Sequence, residues 1–118
     1  MIRHTIVFKL NSNATAETIN HAINSMCALQ TTLSGIERVI AGECYFHDDK
    51  SVNFFSEGMS HCIMIDFIDR HALDNFFKNP MTHSAKDAVI HIAEGGYAGI
   101  VGFDFIGTNN PNMGQGST

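Results

Sequence analysis

At 118 residues, with 44% apolar and 16% charged side chains, the chain has the size and composition of one globular domain, which excludes a disordered linker or two ordinary cores. A net charge of −5, with 7 Lys and Arg scattered along the sequence, leaves no basic footprint for a phosphate backbone and sets nucleic-acid binding aside. Arg3, His4 and Lys9 interrupt the opening decapeptide and no apolar run reaches membrane-spanning length, so neither a secretory leader nor a transmembrane helix is expected.

Residues 3 to 10 alternate as a strand does, with His4, Ile6, Phe8 and Leu10 on one face and Arg3, Thr5, Val7 and Lys9 on the other. After a turn at Asn11 to Asn13, Thr15 opens a helical pattern whose stripe runs through Ile19, Ala22, Ile23, Met26, Cys27, Leu29, Gln30 and Leu33. Ser34-Gly35 ends it, because glycine takes a left-handed cap without steric cost. Glu37 to Phe46 reads as a second strand with Gly42 as a candidate bulge. A polar excursion follows from His47 to Ser60, in which Phe54-Phe55 is expected to tack the loop onto the domain.

His61 to Ile68 forms a third strand with His61, Ile63, Ile65 and Phe67 sharing a face. Asp69 caps a short helix through about Lys78, which stops before Pro80. A further helix is predicted from about Thr82 to Ala93, with Ala85, Ala88, Val89 and Ile92 at helical spacing and Gly95-Gly96 as its stop. Residues 99 to 107 supply the fourth strand, with Val101, Phe103 and Phe105 alternating against Ile100, Gly102, Asp104 and Ile106. The domain is thus expected over residues 1 to 107 and a disordered tail over 108 to 118, which is rich in Asn, Gly and Ser.

The order β-α-β-β-α-β is that of the ferredoxin-like split βαβ unit, an α+β fold with strand order 4-1-3-2 in a four-stranded antiparallel sheet. Both faces of the sheet carry apolar residues, yet the helices cover one. A second copy packed sheet against sheet accounts for the other and makes a homodimer the expected partnership. If strands one and three pair with His4 near Phe67 and His61 near Leu10, the two histidines are on the order of 20 Å apart and cannot share a metal.

Four stretches, MIRHTIVFKL, LSGIERVIAG, HCIMIDFID and RHALDNFFKNPMTHSAKD, resemble in order and spacing the stress-responsive dimeric A/B barrel (Dabb) family across most of residues 1 to 106. The resemblance implies a dimeric α/β barrel with a cavity between helices and sheet. In the family's plant polyketide cyclases, a histidine after the proline deprotonates a carbon next to a carbonyl, and a first-strand histidine lines the same pocket. The matching residues here are His83 and His4. The family's Pro-x-His becomes Pro80-Met81-Thr82-His83, one residue longer, and the tyrosine that the cyclases place before the proline is Phe76 or Phe77.

His83 and His4 are therefore the candidate catalytic residues, with Asp87, four residues along the helix, as the group that would orient His83. Ile6, Phe8, Ile63, Ile65, Phe67, Phe76, Phe77 and Asp87 are the candidate pocket lining. The seven histidines are spread over at least five elements, so no metal site is expected, and no glycine-rich phosphate loop or nucleophile elbow calls for a cofactor. Cys27, Cys44 and Cys62 are odd in number and lack metal or redox spacing, as suits reduced thiols in the cytoplasm. Three readings stay open: a protein that binds a small apolar or carbonyl compound, a cofactor-free lyase or cyclase using His83 as base, and a cofactor-free monooxygenase.

Overall fold

Seven regular elements follow one another in a computed structural model that describes residues 1–49, 51 and 58–108. They are β1 (Ile2–Phe8), α1 (Ala16–Thr32), β2 (Ile36–Glu43), β3 (His61–Phe67), α2 (Arg70–Lys78), α3 (Pro80–Ile92) and β4 (Val101–Ile106), with a 3-10 turn at Gly96–Gly99 before the last strand. The expected docking of Phe54-Phe55 and the expected disorder of the tail beyond Thr108 lie outside the described residues.

Local chemistry sets the helix ends. Thr15 and Thr18 form a reciprocal capping box at the start of α1, and the Asp69 carboxylate accepts from the Ala72 amide at the start of α2. Asn79 ends α2 and caps α3 by accepting from the Met81 amide, and Pro80 follows at once. Proline suits the first helical position because its fixed φ is already helical and its missing N–H would have had no partner. The third helix therefore starts two residues before the expected Thr82, and no linker separates it from α2. At the exit of α1, Gly35 has φ +85°, and a β-carbon there would lie 2.4 Å from Cβ of Ala72. Glycine is required both for that backbone conformation and for the close approach of α2.

The strands assemble antiparallel in the order β2-β3-β1-β4, the expected ferredoxin-like arrangement. Registers differ from expectation in two places. His4 pairs with Ile65 and His61 with Phe8, two residues from the anticipated partners, because β1 ends at Phe8 and Leu10 bridges instead to Ala93. The histidines are thus four strand positions apart, about 13 Å, still too far to share an ion. The irregularity in β2 falls between Ile36 and Arg38 rather than at Gly42.

All three helices cover one face of the sheet. The core joins Ile6 and Phe8 of β1, Ile63, Ile65 and Phe67 of β3, and the inward stripes Ala22, Met26, Leu29 of α1 and Ala85, Val89, Ile92 of α3, with Phe76 from α2. At about 25 cal/mol per Å² of apolar surface removed from water, this single layer is the main source of stability. The other face is open. Val101, Phe103 and Phe105 stand exposed along β4 and Ile40 along β2. Between these edges the buried Asp66 carboxylate accepts from Arg3 at 2.7 and 3.0 Å and from Arg38 at 3.0 Å.

Candidate functional site

The antiparallel pairing of β1 with β4 places His4 directly opposite Asp104, and opposed residues project from the same face. Their side chains meet, with His4 Nδ1 2.5 Å from Asp104 Oδ1. An ionised carboxylate has no proton to give, so Nδ1 is the donor and Nε2 is the ring nitrogen left for other work. Among the described residues Nε2 has no hydrogen-bond partner. The imidazole packs against Phe77 edge-to-face at 5.5 Å and against Phe76 at 5.7 Å, so two rings and a carboxylate fix its orientation.

His4 stands in the wall of a cavity of about 450 Å³ between the helices and the sheet. Ile6 of β1, Ile63 and Ile65 of β3, Met26 of α1 and Val89 of α3 make its apolar body, and Phe76 and Phe77 cover one side. Gly102, Phe103 and Asp104 contribute from β4, Tyr97 and Ala98 from the 3-10 turn, and Ile100 from the residue that follows it. Lys86 of α3 enters the lining with its ammonium 5.9 Å from the centres of both the Phe77 and the Tyr97 rings. The volume suits a ligand of one or two rings, and a mostly apolar wall with a few convergent polar groups is the usual form of a small-molecule site.

Of the residues anticipated from sequence, His4, Ile6, Ile63, Ile65, Phe76 and Phe77 come together in this lining. Phe8 and Phe67 are buried behind it, Phe8 stacked on His61 at 5.9 Å and Phe67 edge-to-face with Phe76 at 5.2 Å. His83 is placed differently from expectation. It is exposed, outside the cavity lining, and its Nε2 lies 3.1 Å from the Phe77 carbonyl oxygen, to which it donates. Asp87 is also exposed and outside the lining, and no hydrogen bond or ion pair joins it to His83.

The physical reason is the length of the segment after Pro80. Thr82 begins the buried stripe that continues through Ala85, Val89 and Ile92, and the next residue on a helix is turned about 100° away. The extra residue relative to Pro-x-His thus puts Thr82 at the inward position and His83 outside. Thr82 is 0% exposed, and its hydroxyl has no partner among the described residues.

Asp104, Lys86 and Tyr97 are the polar lining residues that sequence reasoning missed. Asp104 was legible in part, since its alternation with Phe103 and Phe105 assigns it a face, but only the β1–β4 register reveals His4 as its partner. Other reactive groups are quiet. Burial pushes the Cys44 and Cys62 thiols up from their ordinary values, Cys62 also by its nearness to Cys44, and all three cysteines are free. Among the described residues no three His, Cys, Asp or Glu side chains converge as a metal site requires, and no helix is long and apolar enough to cross a membrane.

Comparison with known proteins matches the fold. A dimeric ferredoxin-like protein of unknown function from Jannaschia sp. superposes with a TM-score of 0.76 at 20% identity, covering 89% of this chain and 97% of that one. The hydroxynitrile lyase of Passiflora edulis gives 0.75 at 18% identity, covering 92% and 94%. SnoaB, a cofactor-independent oxygenase from Streptomyces nogalater, gives 0.67 at 12% identity, again covering 92% and 94%. At these identities the likeness is one of fold, and the reactions of the two enzymes differ, so the reaction of this chain is unassigned. No curated protein sequence matches. The model of the Stress responsive A/B Barrel Domain matches residues 2–106, and the chain belongs to that family, Dabb.

Proposed function

We propose that the protein is a homodimer whose cavity binds a small, largely apolar carbonyl compound, and that His4, oriented by Asp104, exchanges a proton with the carbon next to the carbonyl. The observation that carries this reading is the His4–Asp104 pair in the wall of a 450 Å³ apolar cavity. With Nδ1 committed to Asp104, the lone pair on Nε2 takes the proton as the C–H bond electrons move into the enolate, and microscopic reversal returns it. The exposed aromatic residues of β4 support dimerisation through the open sheet face, as does the dimeric state named for the Jannaschia relative. Free thiols suit the reducing cytoplasm.

The test uses 2-acetylnaphthalene in D2O, with NMR following deuterium uptake at its methyl group. The wild-type protein should accelerate exchange, and His4→Gln should lower the protein-catalysed rate by about 100-fold or more, the usual contribution of a positioned base. Exchange that is unchanged in His4→Gln rejects the base. Binding of the ketone without any exchange leaves a binding protein, the second reading that the apolar lining supports.

A further inference from the structure

Lys86 is the one lysine or arginine side chain in the cavity lining. Lys86 is half-buried, and among the described residues it makes no ion pair. Instead its ammonium rests beside two aromatic rings, Phe77 and Tyr97, each centred 5.9 Å away. Such contacts position a cation but do not neutralise it, because a ring quadrupole carries no net charge. Asp104, the carboxylate in the same lining, is engaged by His4. An ammonium at the cavity wall with no carboxylate partner among the described residues is free to pair with an anionic group on a ligand.

We infer that Lys86 is the anion-recognising residue of the cavity and that its ligand is an aromatic compound bearing a carboxylate. This rests on the proposed use of the cavity as the ligand site and adds the chemical class of the occupant. His4 and Lys86 flank the same ring, 5.5 Å and 5.9 Å from the centre of Phe77. A flat ligand lying along Phe77 reaches both, with its carboxylate at the ammonium and its apolar body toward the imidazole. Tyr97, the second ring 5.9 Å from the ammonium, is carried by the 3-10 turn Gly96–Gly99, so the anchor is built jointly by α2, α3 and that turn.

A matched pair of probes tests the assignment: naphthalene-2-carboxylate and 2-acetylnaphthalene, nearly equal in size, titrated at pH 8 by calorimetry. The wild-type protein should bind the carboxylate at least tenfold more tightly than the ketone. Lys86→Met, which keeps the apolar stem, should erase that preference for the carboxylate over the ketone, and Lys86→Arg should retain it. If the methionine variant does not fold, as judged by circular dichroism, Lys86→Gln takes its place. Equal affinity for the two probes in the wild type, or a preference that survives loss of Lys86, overturns the inference while leaving the cavity as the binding site. Failure of both probes to bind overturns the cavity reading as well.

Discussion

Thr82 and His83 are consecutive residues on the first turn of α3, yet the threonine is completely buried and the histidine is exposed and bonded back to the Phe77 carbonyl oxygen. In Pro-x-His the second residue after proline is the histidine, and here that position belongs to Thr82. The imidazole that survives inside the cavity is His4. His83→Ala should therefore leave ketone exchange within about twofold of wild type, while His4→Gln lowers it by about 100-fold or more. An exchange rate that falls with His83 rather than with His4 would return the base to α3.

The buried hydroxyl of Thr82 has a stability consequence of its own. A hydroxyl removed from water without a hydrogen bond costs about 1–3 kcal/mol, whereas its methyl group packs well. Valine keeps the shape and removes the unpaired oxygen. Thr82→Val is expected to stabilise the fold by about 1 kcal/mol, which for a domain of this size corresponds to a rise in melting temperature of about 4 °C. A fall in melting temperature would mean that the hydroxyl is hydrogen-bonded in solution.

Much of this architecture is legible in the sequence because alternation and helical spacing report which face is buried. Ile63, Ile65 and Phe67 declare the inner face of β3, and Asp69 with Lys78 frame α2. Register is harder. Sliding β1 by two residues against β3 preserves every inward and outward assignment, so nothing in the pattern separates His4 opposite Phe67 from the observed His4 opposite Ile65. The same degeneracy hid the His4–Asp104 contact. Lys86 and Tyr97 were invisible for another reason: Gly95-Gly96 signals the end of a helix but not the 3-10 turn that brings Tyr97 over the lysine. The position of His83 was legible as a warning, since the extra residue after Pro80 rotates it by one helical step.

Asp66 links stability to pH. Its hydrogen bonds from the Arg3 guanidinium, with help from Arg38, hold the carboxyl below its usual range despite the opposing effect of burial. A carboxyl whose value is lower in the folded than in the unfolded chain binds protons more tightly when unfolded. The stabilisation is then present above the unfolded value of about 3.9 and is lost as pH falls through the lower folded value. Asp66→Asn should cost about 1–3 kcal/mol at pH 7, toward the lower end because Arg38 is half-exposed and can rehydrate. Urea titrations should show the gap between variant and wild type closing below about pH 4. A gap that is constant from pH 7 to pH 2 would mean that the contacts of Asp66 do not depend on its charge.

The open face of the sheet yields the last prediction. Phe103 and Phe105 stack on each other at 6.2 Å, stand 53% and 42% exposed, and share that face with Val101 and with the Arg3–Asp66–Arg38 cluster. Isolated apolar residues on a surface are ordinary, but a row of them along one strand is what a sheet-to-sheet contact between two copies would bury. Phe105 is the better site for a test because Phe103 also lines the cavity. Placing a carboxylate there sets two like charges against each other in an isologous contact, while a monomer would merely exchange an exposed ring for a solvated acid. Phe105→Asp should convert a dimer at micromolar concentration to a folded monomer, measured by size exclusion with light scattering and by circular dichroism. A wild-type chain that elutes as a monomer, or a Phe105→Asp dimer as tight as wild type, would show that the pairing does not use this face.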